Sequence, residues 1–73
     1  MIYRFSGLIV KVTRIGQMSD NIGQFKCDVK GRIVGAKRNA TLATYKISSK
    51  TPAQAGREAY VKFRQGYEIA ETI

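Results

Sequence analysis

A strict alternation of apolar and polar residues in residues 24 to 33 is the feature that most constrains this fold. The apolar members are Phe25, Cys27, Val29 and Ile33, and between them lie Gln24, Lys26, Asp28, Lys30 and Arg32. Successive side chains of a β-strand point to opposite faces, so a period of two predicts a strand with one buried face and one exposed face. The cations of this strand are therefore expected on the exposed face.

A second alternating segment follows at residues 40 to 48. One side carries Thr41, Ala43, Tyr45 and Ile47, and the other carries Leu42, Thr44, Lys46 and Ser48. The short link Gly35 to Asn39 predicts that the two strands form a β-hairpin. Two adjacent cations, Lys37 and Arg38, are then expected at the tip of that hairpin.

The N-terminal residues 2 to 15 are rich in strand-forming residues, but the phase of their alternation slips. The apolar positions change from odd to even numbers, and they are Tyr3, Phe5, Leu8, Val10 and Val12. A bulge at Ser6 and Gly7 restores the phase and places Arg4, Lys11 and Thr13 on a common face. Residues 16 to 23 are predicted to connect this strand to the next.

The hydrophobic period changes from strand-like to helical after residue 50. Thr51 can cap a helix, Pro52 suits the first helical position, and Gln54 can complete a capping box. The residues Ala55, Ala59 and Phe63 then form a narrow apolar stripe at a spacing of four. We predict a helix that begins within two residues of Pro52. It is expected to pack on the sheet face that carries Phe25, Val29, Tyr45 and Ile47.

The last residues, 67 to 73, allow two interpretations. They alternate as a fourth strand would, with Gly66 ending the helix. The spacing of Phe63, Tyr67 and Ala70 also permits the helix to continue. We favour the strand, because glycine in a helix interior costs roughly 1 kcal/mol relative to alanine.

The resulting order, β-β-β-α-β, predicts an α+β fold in which one helix packs on one face of an antiparallel sheet, giving two layers. The 73 residues form a single small basic domain, residues 1–73. One cysteine and no histidine leave neither a disulfide nor a structural metal within one chain. Self-association is compatible with so small a core.

Positive charge is concentrated in the first two thirds of the chain. The net charge is +8, and residues 1 to 50 hold ten Lys or Arg against two Asp, whereas residues 51 to 73 are balanced. An excess confined to one structural segment produces a directional field that attracts polyanions.

These features predict a non-enzymatic protein that binds nucleic acid through its exposed sheet face and the hairpin tip. The expected contacts with the phosphate backbone are Arg4, Lys11, Lys26, Lys30, Arg32, Lys37, Arg38 and Lys46. The aromatic residues Tyr3, Phe5, Phe25 and Tyr45 are assigned to the buried face. That placement favours duplex or structured nucleic acid over a single strand, which binds by stacking on exposed rings. Both DNA and RNA are compatible with these features.

The alternative function is a small adaptor or inhibitor that docks on an acidic partner protein. Enzymatic activity is not predicted, because the chain has no histidine and only five acidic residues. No cofactor or metal site is predicted either, and Cys27 is expected to be buried and inert.

A cytoplasmic location without membrane contact is expected. No apolar run approaches the ~20 residues that span a bilayer. The first residues lack the order of a secretory signal, and a lone thiol argues against an oxidising compartment.

Overall fold

The computed structural model describes residues 1–32, 35 and 37–72, the last six of these by their backbone only. Four strands are followed by one helix. The strands are β1 (Ile2–Phe5), β2 (Leu8–Gln17), β3 (Gly23–Arg32) and β4 (Asn39–Ser49), and the helix is α1 (Pro52–Thr72). Ile33 and Ala36, which the sequence placed in the strand and in the hairpin link, lie outside the described residues.

The strands form one antiparallel sheet in the order β1-β2-β3-β4. The helix covers one face of this sheet, and the core lies between the two layers. Its buried strand residues are Val10, Val12, Phe25, Cys27, Val29 and Ile47. The two-layer α+β architecture, the helix start at Pro52 and the face on which the helix packs are confirmed.

The order of the elements is β-β-β-β-α, so the predicted β-β-β-α-β order is wrong, and one cause lies at the N-terminus. Residues 2 to 15 do not form one bulged strand. Ser6 and Gly7 have positive φ angles of 45° and 83°, as in the two-residue turns that reverse a chain, and β1 folds back on β2. The prediction that Arg4 and Lys11 share a face is nevertheless correct, because Phe5 pairs with Leu8 and both lie on the opposite side.

The other cause lies at the C-terminus, where the strand predicted at 67–73 is wrong for residues 67 to 72, and Ile73 lies outside the described residues. The helix continues through Gly66 to Thr72. Gly66 is exposed, and among the described residues a methyl group there would meet no atom within 4 Å beyond the adjacent helix backbone. Its helix penalty of about 1 kcal/mol is small enough for neighbouring helix formers to offset.

Small residues let the helix lie close to the sheet. Ala55 and Ala59 are fully buried, as the apolar stripe predicted. Gly56 approaches even more closely, since a methyl group on it would lie 3.2 Å from both Tyr3 Cδ2 and Val12 Cγ2. Further along the helix, Tyr60 stacks on Phe5 with ring centroids 4.9 Å apart. The N-terminal hairpin and the helix are thereby held together.

The helix begins at the predicted cap. The backbone N–H of Gln54 donates to Thr51 Oγ1 at 3.2 Å, and the N–H of Ala55 donates to the Thr51 carbonyl at 3.1 Å. The side chain of Gln54 accepts a hydrogen bond from the Ser49 hydroxyl at 3.2 Å. This contact ties the end of β4 to the first turn of the helix.

The alternation predicted for residues 40 to 48 is wrong at its start. The register between β3 and β4 shifts so that Val29 pairs with Ala43 but Lys30 pairs with Thr41. Thr41 therefore shares the side of Lys30. Leu42 lies over Gly31, where an added methyl group would be 2.9 Å from Leu42 Cδ1 and 2.8 Å from Leu8 Cδ2.

Candidate nucleic-acid interface

The sheet face turned away from the helix, here called the open face, collects most of the predicted site. Cross-strand partners in an antiparallel sheet point to the same side, so the register assigns these residues directly. Six cations of the open face are Arg4, Lys11, Lys26, Lys30, Arg32 and Lys46, and Asp28 is its only carboxylate among the residues that the structure describes. The sequence-based assignment of these side chains to one face is confirmed.

Two lysines of the open face lie directly opposite one another. Lys26 on β3 pairs with Lys46 on β4, and Thr13 on β2 completes the row. The Cβ atoms of such partners are about 4.5 to 5.5 Å apart, and like charges at that separation destabilise a sheet. Both side chains are exposed, so water and bound anions can reach them.

The next row along the strands contains the single carboxylate. Asp28 pairs with Lys11 on one side and with Thr44 on the other. The Thr44 hydroxyl donates a hydrogen bond to Asp28 Oδ1 at 2.8 Å. A third row, on the far side of Asp28, brings together Arg4, Ile9, Lys30 and Thr41.

The hairpin tip lies beyond the last row. Arg32 pairs with Asn39 at the end of the β3–β4 ladder, and the exposed residues Lys37 and Arg38 lie in the link that follows. The structure therefore places these two cations at the end of the strands that carry Lys26, Lys30 and Lys46.

The open-face cations have no carboxylate partner within ion-pair distance in the described part of the chain. Arg14, Arg57 and Lys62 are among the cations that lie outside the open face and the tip. Arg14, beside a register shift in β2, donates to the side chain of Gln17, and Arg57 and Lys62 are exposed on the helix. The open face and the tip thus hold eight of the chain's 13 cations.

Aromatic side chains are confined to the other face in the described strands. Phe25 is buried, and Tyr3, Phe5 and Tyr45 pack against the core beneath the helix. This confirms the placement expected from the alternation. Sequence reasoning did not name Ile2 and Ile9 on the open face, although they alternate in phase with Arg4 and Lys11. It also missed Thr41, whose side is decided by the register shift in β4.

Metal-ligating side chains and the single cysteine are the remaining chemical groups to be located. They contain no group of three or more Cys, Asp and Glu side chains that could hold a metal ion. Cys27 is a free, fully buried thiol. Burial and, to a lesser extent, the negative charges of Asp28 and Glu58 raise the pKa of the Cys27 thiol.

Cys27 is expected to react slowly with thiol reagents in the native protein and rapidly after denaturation. Burial blocks access, and the raised pKa lowers the fraction of reactive thiolate. A colourimetric thiol assay with and without denaturant measures both rates. Equal rates under the two conditions would contradict the buried position.

Comparisons with protein-family profiles, curated proteins and solved structures find no match. Among the described residues, α1 is the one helix, and it has no apolar stretch of the length that a bilayer crossing needs.

Proposed function

We propose that this protein binds duplex or structured nucleic acid through the open face and the hairpin tip, without catalysing a reaction. The observation that carries the proposal is the segregation of charge. Six cations and one carboxylate occupy the face that the helix leaves uncovered, and two more cations follow at the tip. Lysine and arginine contacts supply most of the affinity of proteins for a phosphate backbone.

The cost of the arrangement to folding also supports a role in binding. A like-charge pair such as Lys26 and Lys46 destabilises the sheet that contains it. A bound polyanion would reverse this effect, since each phosphate between two ammonium groups attracts both. Positions that weaken the fold without any gain in packing are typical of functional surfaces.

The absence of aromatic side chains on the described open face favours a duplex. Proteins that bind single strands stack successive bases on exposed rings. Here the rings of Tyr3, Phe5 and Tyr45 pack against the core beneath the helix. A cationic face without rings suits the outside of a helix, where phosphates are accessible and bases are already stacked.

The second candidate is an adaptor or inhibitor that docks on an acidic protein. Its supporting observation is the outer edge of β4, an 11-residue strand with a partner on one side only. Such an edge can accept a strand from a partner, and the cationic face would steer the encounter. We place either activity in the cytoplasm, where the free thiol of Cys27 would persist.

Purification at low and at high salt tests the proposal. Nucleic acid should co-elute with the protein at low salt and leave it at high salt, because counterion release makes such binding salt-dependent. The purified protein should then retard a labelled duplex in low salt. Failure to bind any duplex at low salt would contradict the proposal and favour the acidic-protein partner.

Lys46→Glu is expected to strengthen the fold while weakening duplex binding. The change turns the pair with Lys26 into an attractive one, worth roughly 0.5 to 1 kcal/mol of unfolding free energy. It also removes one phosphate contact, which costs about tenfold in affinity at low salt. Urea denaturation and duplex titration measure the two effects.

The matched control is Lys62→Glu, which makes the same charge change on the exposed helix surface. Its duplex affinity should stay within a factor of about two of the parent, because the site lies outside the open face. Equal losses of affinity in the two variants would mean that net charge alone drives binding.

A further inference from the structure

We infer that the nucleic acid is A-form duplex RNA, bound across its minor groove, with Asp28 and Thr44 accepting hydrogen bonds from ribose 2′-hydroxyls. This inference rests on the proposed function and names the substrate of the same surface. In the described strands the open face carries one carboxylate, Asp28, and a carboxylate repels phosphate and needs a different kind of partner.

Asp28 and Thr44 together present hydrogen-bond acceptors. The Thr44 hydroxyl donates its proton to Asp28 Oδ1 at 2.8 Å, so its lone pairs remain for a donor. The second carboxylate oxygen, Oδ2, has no partner in the described part of the chain. An ionised carboxylate can only accept hydrogen bonds. A ligand that covers this point and displaces water therefore has to supply a donor, which a phosphate diester does not.

Cations lie on both sides of this acceptor pair. Residues two apart in a strand are about 6.6 to 6.8 Å apart, so the row of Lys26 and the row of Lys30 are separated by roughly 13 Å with Asp28 midway. A duplex groove has the complementary arrangement, with a negatively charged phosphate backbone on each side and hydrogen-bond donors and acceptors between the two backbones. The pattern on the open face complements a groove.

The breadth of the sheet selects the groove. Neighbouring strands lie about 4.8 Å apart, so the backbones of β1 and β4 are roughly 14 Å apart, more than the ~12 Å width of the major groove of B-DNA. The helix behind β2, β3 and β4 adds a second layer. The sheet thus lies over a groove and does not enter it.

The length of the central side chains selects the form of the duplex. Asp28 and Thr44 are short, whereas Lys11 in the same row and Lys26 and Lys46 in the next row are long. These lysines keep the acceptor pair from reaching the floor of a groove about 8.5 Å deep. The minor groove of A-form RNA is wide and shallow, and 2′-hydroxyls line it. These hydroxyls are the donors that the acceptor pair requires.

The test compares one sequence of about 20 base pairs as duplex RNA and as duplex DNA at equal salt. The parent should bind the RNA about tenfold more tightly, the discrimination that one charge-assisted hydrogen bond supplies. Asp28→Asn keeps the shape of the side chain but replaces an acceptor by an amide donor. It should raise the affinity for DNA and bring the preference to within about twofold.

Asp20→Asn is the matched control, because it removes the same charge from an exposed turn outside the open face. It should leave the preference for RNA unchanged, and thermal unfolding should verify that both variants are folded. Equal binding of RNA and DNA by the parent would overturn the inference and leave the proposed function standing. A preference that persists in Asp28→Asn would also overturn it. Binding to neither duplex would overturn both proposals.

Discussion

Replacing Lys37 and Arg38 together by Glu is expected to weaken duplex binding about a hundredfold, because two phosphate contacts at roughly tenfold each are lost. The free energy of unfolding should not change by more than about 0.5 kcal/mol. Both residues are exposed in the link between β3 and β4, where substitution disturbs no described contact. Duplex titration and urea denaturation of the same preparation would separate the two effects.

The salt dependence makes this prediction quantitative. A surface that neutralises roughly four to six phosphates gives a slope of log affinity against log salt near −4 to −5, and losing two tip contacts should reduce the steepness by about two. Arg57→Glu with Lys62→Glu reverses two cations on the helix and should leave the slope unchanged. If the tip variant kept the affinity and slope of the parent, Lys37 and Arg38 would be residues of a solvated turn only.

Phe25→Ala is expected to lower the free energy of unfolding by about 3 to 5 kcal/mol, as do other truncations of a buried aromatic ring. The ring is 2 % exposed and lies in the layer between sheet and helix. A domain of 73 residues is stable by about 4 to 11 kcal/mol, so the loss is a large part of the total stability. Urea denaturation would measure it.

Val61→Ala provides the control for this second prediction. Val61 lies on the exposed side of the helix, and its truncation should change the free energy of unfolding by less than about 0.5 kcal/mol. If Phe25→Ala lowered the free energy of unfolding by less than about 1 kcal/mol, the helix would not bury the Phe25 ring against β3.

The assignment of residues to the two faces could be predicted from the sequence because β3 alternates without interruption. Phe25 and Val29 are buried and Lys26 is exposed, as a period of two requires. A one-residue slip would bury the lysines, so the pattern permits a single register. The location of the predicted cations on one face follows from this strand and from its pairing with β2 and β4.

The connection at Ser6 and Gly7 could not be predicted in the same way. A bulge and a two-residue turn both leave Phe5 and Leu8 on the same side, so the hydrophobic pattern does not distinguish them. The turn is formed because Ser6 and Gly7 both adopt positive φ angles, and β1 then pairs with β2. The C-terminal error has a similar origin, because the local helix penalty of Gly66 carries no information about the four-stranded sheet that β1 completes.

The position of Leu42 depended on packing between distant residues. Alternation alone placed Leu42 on the open face with Lys46. Gly31 has no side chain, and Leu8 and Leu42 lie over it on the opposite face. The register shift beside Lys30 makes this possible and turns Thr41 toward the cations. No local sequence pattern predicts that Thr41 and Leu42 swap faces, because the swap depends on the space that Gly31 leaves free on the neighbouring strand.

Side-chain NMR of the lysine ammonium groups during titration with duplex RNA tests the central claim most directly. Of the chain's seven lysines, five belong to the proposed interface, and Lys62 on the helix serves as an internal reference. Direct phosphate contact should shift the signals of Lys11, Lys26, Lys30, Lys37 and Lys46 and leave that of Lys62 in place. Shifts centred on Lys62, with the signals of the open face unchanged, would contradict the proposed interface.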